Sequence, residues 1–198
     1  MKKIEIIWRE LLSQAIEKGN FNFVQKDLAN KFDFSTSTIF QALKTPRKMG
    51  AVRVQGRFFS IEDAEKILYH WASVRDLEGE IVFSGHVDLP VFEIEGAMPA
   101  EVVFGGYSAA RLILEPQTPP ADYDKVFVYT KNPEDVKKRF NLDRGRANLF
   151  ILKADDFLTG YGGKTTLAQT FVDIWNMNDW YAKEFTETLK AKIDGLLP

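Results

Sequence analysis

Several residue types are missing or scarce in this chain of 198 residues. It contains no cysteine, which excludes disulfide bonds, thiolate metal sites and cysteine nucleophiles. Only two histidines, His70 and His86, are available for zinc binding or histidine-based catalysis. No apolar run approaches the roughly 20 residues that span a bilayer, and no signal-peptide pattern follows Lys2 and Lys3. The sequence therefore predicts a cytoplasmic protein with no membrane partner.

Aromatic residues are plentiful, with 16 Phe, 6 Tyr and 4 Trp, and 45% of all residues are hydrophobic. This composition predicts a globular protein and excludes intrinsic disorder. The charge is uneven, because residues 1–60 hold 11 Lys and Arg against 5 Asp and Glu, whereas residues 61–198 hold 15 against 23. A basic segment followed by an acidic one indicates a nucleic-acid-binding unit joined to a second unit, although a solvated surface would give the same counts.

The basic segment begins with two sets of apolar residues at helical spacing. Apolar residues recur every three or four positions from Ile4 to Ile16 and predict an amphipathic helix, which Gly19 and Asn20 would end. A second helix is predicted from Val24 to Phe32 on the same grounds.

A third helix and a hairpin are predicted to follow. Ser35 is a favourable N-cap residue, and Ile39 would point inward from the helix that it starts. Because the residue before a proline avoids helical angles, we expect this helix to end near Lys44, ahead of Pro46. Gln55-Gly56 then predicts the turn of a β-hairpin. Three helices followed by a hairpin is the element order of a winged helix.

The stretch QKDLANKFDFSTSTIFQALK, residues 25–44, resembles a helix-turn-helix motif. The family usually has glycine in the turn between the two helices, where this chain has Asp33, a residue that tolerates the left-handed conformation. The resemblance implies a winged-helix DNA-binding domain over residues 1–60. An ordinary helical hairpin in a protein–protein module is the alternative.

The exposed side of the third helix and the hairpin supply the candidate DNA contacts. Hydroxyl groups at the helix N-terminus can hold a phosphate, and the side chains one turn later can read base edges in the major groove. Basic residues after the helix and at the hairpin tip can grip the backbone or enter the minor groove. The predicted DNA-binding residues are Ser35, Thr36, Ser37, Thr38, Gln41, Lys44, Arg47, Lys48, Arg53 and Arg57.

The acidic segment alternates between strand and helix patterns. A helix over 61–78 is predicted to link the two units, and residues 79–198 are predicted to form an α/β domain of regulatory or interaction type. The predicted fold class is thus α+β/α/β in two domains, with an N-terminal winged helix-turn-helix and a small mixed α/β domain with C-terminal helices. Its predicted strands are 80–87, 125–129 and 148–152, and its predicted helices start at Pro133, Thr165 and Asp179.

Some motifs in the acidic segment suggest chemistry but are incomplete. The stretch GYGGKTT ends like a phosphate-binding P-loop, yet Leu158 stands where that loop needs its first glycine. Asp155, Asp156 and Asp173 could hold Mg²⁺ in principle, but their spacing does not require it. The sequence therefore predicts no enzyme, no catalytic residue, no metal and no cofactor.

Three blocks of the acidic segment resemble the AbiEi-type proteins, namely VFEIEGAMPAEVVFGGYSAARL, KVFVYTKNPEDVKKRF and LAQTFVDIWNMNDWYAKEF. That resemblance implies a winged-helix transcriptional regulator, a repressor or autoregulator, that acts as antitoxin to a nucleotidyltransferase-like toxin. The implied partners are double-stranded DNA, the toxin protein or its gene's promoter, and a second copy of the chain on DNA. A ligand-sensing transcription factor and a nucleic-acid-acting enzyme remain alternatives.

Overall fold

The computed structural model describes residues 1–56 and 58–198, which form two compact units. The first unit comprises Met1–Arg75 with Lys192–Pro198, and the second comprises Asp76–Ala191. The chain is a mixed α/β protein with one three-stranded and one four-stranded sheet, which confirms the coarse fold class. The helix predicted to link the units falls within the first unit.

The first unit contains four helices and a small sheet among its described residues. A π-helical turn over Ser13–Glu17 extends the first helix. The elements are α1 (Lys3–Leu12), β1 (Asn22–Val24), α2 (Gln25–Phe32), α3 (Thr36–Lys48), β2 (Val52–Gln55), β3 (Phe58–Ile61) and α4 (Ala64–Val74).

The sheet of the first unit has the strand order β1-β3-β2, with both pairs antiparallel. The predicted hairpin forms β2 and β3, and Gly56 has the positive φ of 63° that a tight turn requires. The short strand β1 was not predicted. It pairs Phe23 with Phe59, and the two rings stack with centroids 5.4 Å apart. β1 thus joins the hairpin to the helices before it.

The predicted end of the third helix near Lys44 is wrong, because α3 continues through Pro46 to Lys48. Pro46 cannot donate to the carbonyl of Ala42, four residues earlier, and such a carbonyl costs free energy when it is buried and unpaired. Trp8 on α1 removes this cost, because its Nε1–H donates to the Ala42 carbonyl at 2.8 Å. A tertiary contact therefore compensates for the proline, and the helix gains another turn.

A buried ion pair connects α1 to α4. Glu5 Oε2 accepts hydrogen bonds from the Trp71 indole at 3.0 Å and from Arg75 at 3.1 Å. Both charged side chains are almost completely buried, at 2% and 0% exposure. Five apolar residues of α4 are buried as well: Ala64, Ile67, Leu68, Trp71 and Ala72. The two helices thus pack against each other through both apolar and charged side chains.

The second unit contains a mixed four-stranded sheet with helices around it. The strand order is β4-β7-β6-β5, in which β6 and β7 are parallel and the outer strands are antiparallel to them. Its elements are β4 (Ile81–Gly85), α5 (Val91–Gly96), β5 (Val103–Gly105), α6 (Gly106–Leu114), β6 (Val126–Thr130), α7 (Pro133–Lys137), β7 (Leu149–Lys153), α8 (Leu167–Trp175) and α9 (Ala182–Asp194), whose last three residues belong to the first unit.

The central strand β6 is buried along its whole length, as expected for a strand of a sheet that is covered on both faces. The connection from β5 to α6 is a direct strand-to-helix turn at Gly105 and Gly106. A Cβ at Gly105 would lie 2.7 Å from the Tyr129 ring, and Gly106 has a positive φ of 51°. Close packing and backbone conformation therefore both require glycine here.

The start of α7 at Pro133 agrees with the prediction. Pro133 occupies the first turn as expected, but the Asn132 side chain makes no capping hydrogen bond. The Asn132 amide instead donates to the Thr130 hydroxyl at 3.0 Å.

Within the described residues, no helix has both the length and the apolarity needed to cross a bilayer.

Candidate nucleic-acid interface

The turn between α2 and α3 fixes the position of α3. Asp33 adopts the left-handed conformation, with φ 50° and ψ 43°, as its side-chain type allows. The Phe34 amide donates to Ala29 O at 3.0 Å and the Asp33 amide donates to Asn30 O, which is the Schellman pattern of helix ends. The Phe34 ring also stacks on Phe32 at 5.7 Å. The turn is thus closed by both hydrogen bonds and packing.

The hydroxyl groups at the N-terminus of α3 divide into two kinds. Ser35 is the N-cap, because its Oγ accepts from the Thr38 amide at 3.2 Å and lies 2.9 Å from Thr38 Oγ1. These two hydroxyls are engaged with each other and with the helix end. Thr36 and Ser37, in contrast, are exposed on the first turn. An anion at this helix terminus would therefore meet the Thr36 and Ser37 hydroxyls first.

The two faces of α3 are sharply different. Ile39, Ala42, Leu43 and Pro46 are buried, and the helix packs on α1 and α2. The opposite face is exposed and contains no acidic residue between Thr36 and Lys48. Its polar side chains include the predicted Gln41, Lys44, Arg47 and Lys48. The structure thus brings four of the predicted residues onto one exposed helical surface.

One aromatic residue on this surface was not predicted as a contact. Phe40 is 46% exposed, and the Arg47 guanidinium lies 5.9 Å from the centre of its ring. The signal was present in the sequence, because a helix that buries Ile39 and Leu43 directs position 40 away from the core. We call Phe40, Gln41, Lys44, Arg47 and Lys48 the α3 face.

The hairpin carries the remaining predicted contacts. Arg53 is 64% exposed, and its guanidinium lies 3.0 Å from the Glu62 carboxylate, so part of its charge is already compensated. Arg57 lies outside the described residues. Phe58, the first residue of β3, is 58% exposed.

The segment that resembles a P-loop has a different role in the second unit. The Phe104 amide donates to Gly163 O, and the Thr165 amide donates to Phe104 O, both at 2.9 Å. Thr165 is buried, and α8 begins only after Thr166, whose hydroxyl caps it. The segment therefore runs alongside β5 as an extension of the sheet, and Lys164 does not open the helix.

The three aspartates considered for Mg²⁺ each have a separate structural partner. Buried Asp173 accepts from the Tyr129 hydroxyl at 2.6 Å, and exposed Asp156 pairs with Lys131 at 2.6 Å. Asp155 accepts from the Phe157 amide at 3.1 Å. Across residues 1–56 and 58–198, no three His, Asp or Glu side chains come together in a way that could hold a metal ion.

A small cavity of about 240 Å³ lies in the second unit, below the usual size of ligand pockets. Phe127 and Phe150 stack in its wall at 4.6 Å, and Lys125 forms an ion pair with Asp179 beside them. The Tyr107 hydroxyl also donates to Asp179 at 3.0 Å. Burial, together with this carboxylate, raises the pKa of Tyr107 far above its ordinary value, so the phenol remains a donor.

Comparisons with protein-family models, with curated proteins and with solved structures found no match to this chain. The winged-helix and AbiEi-type assignments therefore stay predictions that rest on the residues themselves.

Proposed function

We propose that the first unit is a winged-helix domain that binds duplex DNA through α3, and that the protein is a sequence-specific transcriptional regulator of the repressor or autoregulator type. One observation carries the proposal, namely the α3 face. It presents an amide, two lysines and an arginine on one side of a helix whose other side is buried. Such a surface has the charge and the hydrogen-bonding groups that the major groove of DNA selects.

The α3 face supports two kinds of contact. Gln41 and Lys44 lie three positions apart in the middle of the helix, where side chains can reach base edges. Arg47 and Lys48 lie at its C-terminal end, where a long basic side chain can reach the phosphate backbone. Gln41 and Lys44 are therefore assigned to sequence reading, and Arg47 and Lys48 to phosphate binding.

The hydroxyls and the hairpin belong to the same proposal. Ser35 and Thr38 close the helix end, while the exposed Thr36 and Ser37 contact phosphate. Arg53 contacts the backbone or the minor groove, and Arg57, which lies outside the described residues, is proposed for the same role from the sequence.

The experiment measures the affinity of the full chain for duplexes selected from a random library, as a function of salt. We expect the logarithm of the association constant to fall steeply with that of the salt concentration. Replacing Arg47 or Lys48 by Ala should weaken binding to all DNA sequences by a similar factor. It should also reduce the slope of the logarithm of the association constant against that of the salt concentration (the salt slope) by about 1 for each phosphate that is no longer neutralised. Replacing Gln41 by Ala should instead relax the base preference at one position of the DNA site, with a loss of about 1–3 kcal/mol in binding free energy for the preferred base.

Lys18 provides the matched control, because it is an exposed lysine outside α3. Lys18→Ala should leave both the affinity and the salt slope of the selected duplex unchanged. The proposal fails if no duplex is selected, or if Lys18→Ala has the same effect as Arg47→Ala and Lys48→Ala.

The antitoxin role is a separate part of the proposal, supported by the resemblance of the second unit to AbiEi-type proteins. Its test is co-expression with a nucleotidyltransferase-like protein encoded beside this gene. The antitoxin assignment predicts that the chain restores growth and represses the shared promoter. Growth that stays arrested, with the chain present and folded, would contradict this role without affecting DNA binding.

Ligand sensing is the second candidate function, and the cavity beside Lys125 and Asp179 is where a ligand smaller than a typical drug-sized molecule would bind. That function predicts that a small molecule raises the melting temperature of the chain and changes its affinity for DNA. A molecule that raises the melting temperature but leaves DNA affinity unchanged would contradict it.

A further inference from the structure

Phe40 exposes a large apolar ring in the middle of a polar surface. Its side chain is 46% exposed, although it lies on a long helix whose opposite face is packed into the core. Burying an aromatic side chain is favourable in proportion to the apolar area removed from water, so roughly half of that gain is left unused in the free protein. A partner that covers the ring would recover it.

The geometry of α3 places the ring beside the proposed base-reading residues. Gln41 follows Phe40 directly, and Lys44 lies four positions later, one turn along the helix. The Arg47 guanidinium lies 5.9 Å from the ring centre, within cation–π distance. Phe40 would therefore enter the same groove as Gln41 and Lys44.

The major-groove edges of the four bases offer only one methyl group. Adenine, guanine and cytosine present hydrogen-bond donors and acceptors there, whereas thymine adds the methyl group at C5. An exposed phenyl ring cannot hydrogen bond to the polar edges, but it can pack on this methyl group. The chemistry of position 40 thus favours thymine over the other three bases.

We propose that Phe40 is a specificity-determining residue that recognises thymine by contact with its 5-methyl group. The inference rests on the proposed DNA-binding function and adds to it the base that α3 selects. Since Gln41 pairs best with adenine, the two neighbouring residues together select adjacent A·T base pairs.

The experiment uses deoxyuridine, which pairs like thymidine but lacks the methyl group. In the duplex selected by the full chain, each thymine is replaced in turn and the dissociation constant is measured. We expect one or two positions to lose affinity about fourfold, the value for one buried methyl group. Phe40→Ala should weaken binding to the thymine duplex. The variant should bind the thymine and deoxyuridine duplexes with equal affinity.

Two further variants separate a direct contact from an indirect effect. Phe40→Leu keeps an apolar side chain and should keep part of the thymine preference. Phe92→Ala removes an exposed ring in the second unit, where an arginine also lies near the ring, and should keep all of the preference. Circular dichroism of each variant checks that the fold is retained.

The outcomes distinguish this inference from the function on which it rests. Sequence-specific, salt-dependent binding with no deoxyuridine effect at any position would overturn the role of Phe40 and leave DNA binding intact. Absence of any selected duplex would overturn both. If Phe40→Ala keeps DNA affinity and thymine preference but abolishes self-association, the ring belongs to a protein interface and the inference is wrong.

Discussion

The hydrogen bond from Trp8 to Ala42 leads to the most detailed stability prediction. Trp8→Phe removes the Nε1–H donor and leaves the Ala42 carbonyl buried, because Pro46 has no N–H to replace it. A buried polar group without a partner costs about 1–3 kcal/mol, and the smaller ring adds a packing cost of its own. The substitution alone cannot separate the two costs.

A second substitution separates them. Pro46→Ala restores an amide at position 46, and this amide can donate to the Ala42 carbonyl in the usual helical manner. In that background Trp8→Phe loses only packing, so its cost should be smaller by about 1–2 kcal/mol. The difference between the two costs is the coupling free energy of the indole–carbonyl bond.

Hydrogen exchange at the amides of α3 in the full chain gives the opening free energy of this helix directly. Trp71→Phe is the control, because the Trp71 indole donates to Glu5 and not to α3. Its cost should be the same with and without Pro46→Ala. An equal cost of Trp8→Phe in both backgrounds would refute the role of the Trp8 indole in accommodating the proline inside the helix.

Two further predictions concern buried polar contacts, one in each unit. Glu5→Gln removes the carboxylate charge that faces the buried guanidinium of Arg75. It should lower the free energy of unfolding, measured by urea denaturation, by about 3–5 kcal/mol. Adding Arg75→Met should recover a large part of the lost stability. Asp173→Asn weakens the hydrogen bond from Tyr129 and should lower the free energy of unfolding by about 1.5–3 kcal/mol. Asp156→Asn changes an exposed ion pair and should lower it by less than about 0.5 kcal/mol. Equal effects of the two asparagine substitutions, or an unchanged stability for Glu5→Gln, would contradict the respective prediction.

The parts of the fold that depend on local chemistry were predictable from the sequence. Ser35 caps α3 because a serine hydroxyl satisfies a free amide two or three residues later, whatever the rest of the chain does. Asp33 adopts the left-handed turn for a similarly local reason. The strands β6, buried throughout, and β7, buried at three of its five residues, follow from their apolar runs.

The parts that depend on distant residues were not predictable in the same way. β1 has only three residues, and its pairing partner Phe59 lies 36 positions after Phe23. The end of α3 depends on Trp8, which is 34 positions before Ala42. Local propensity predicts a stop before Pro46, and a tertiary hydrogen bond overrides it. In each case the deciding interaction is outside any window over which sequence periodicity can be read.

The extension of α3 past Pro46 connects the core to the proposed interface. Had the helix ended near Lys44, Arg47 and Lys48 would have lain in a loop with no fixed relation to Gln41. Because Trp8 supplies the missing donor to Ala42, Arg47 instead lies on the helix, seven positions after Phe40 and within reach of its ring. The buried indole therefore acts on the α3 face without contacting it. It determines which basic side chains are held beside the residues assigned to base reading.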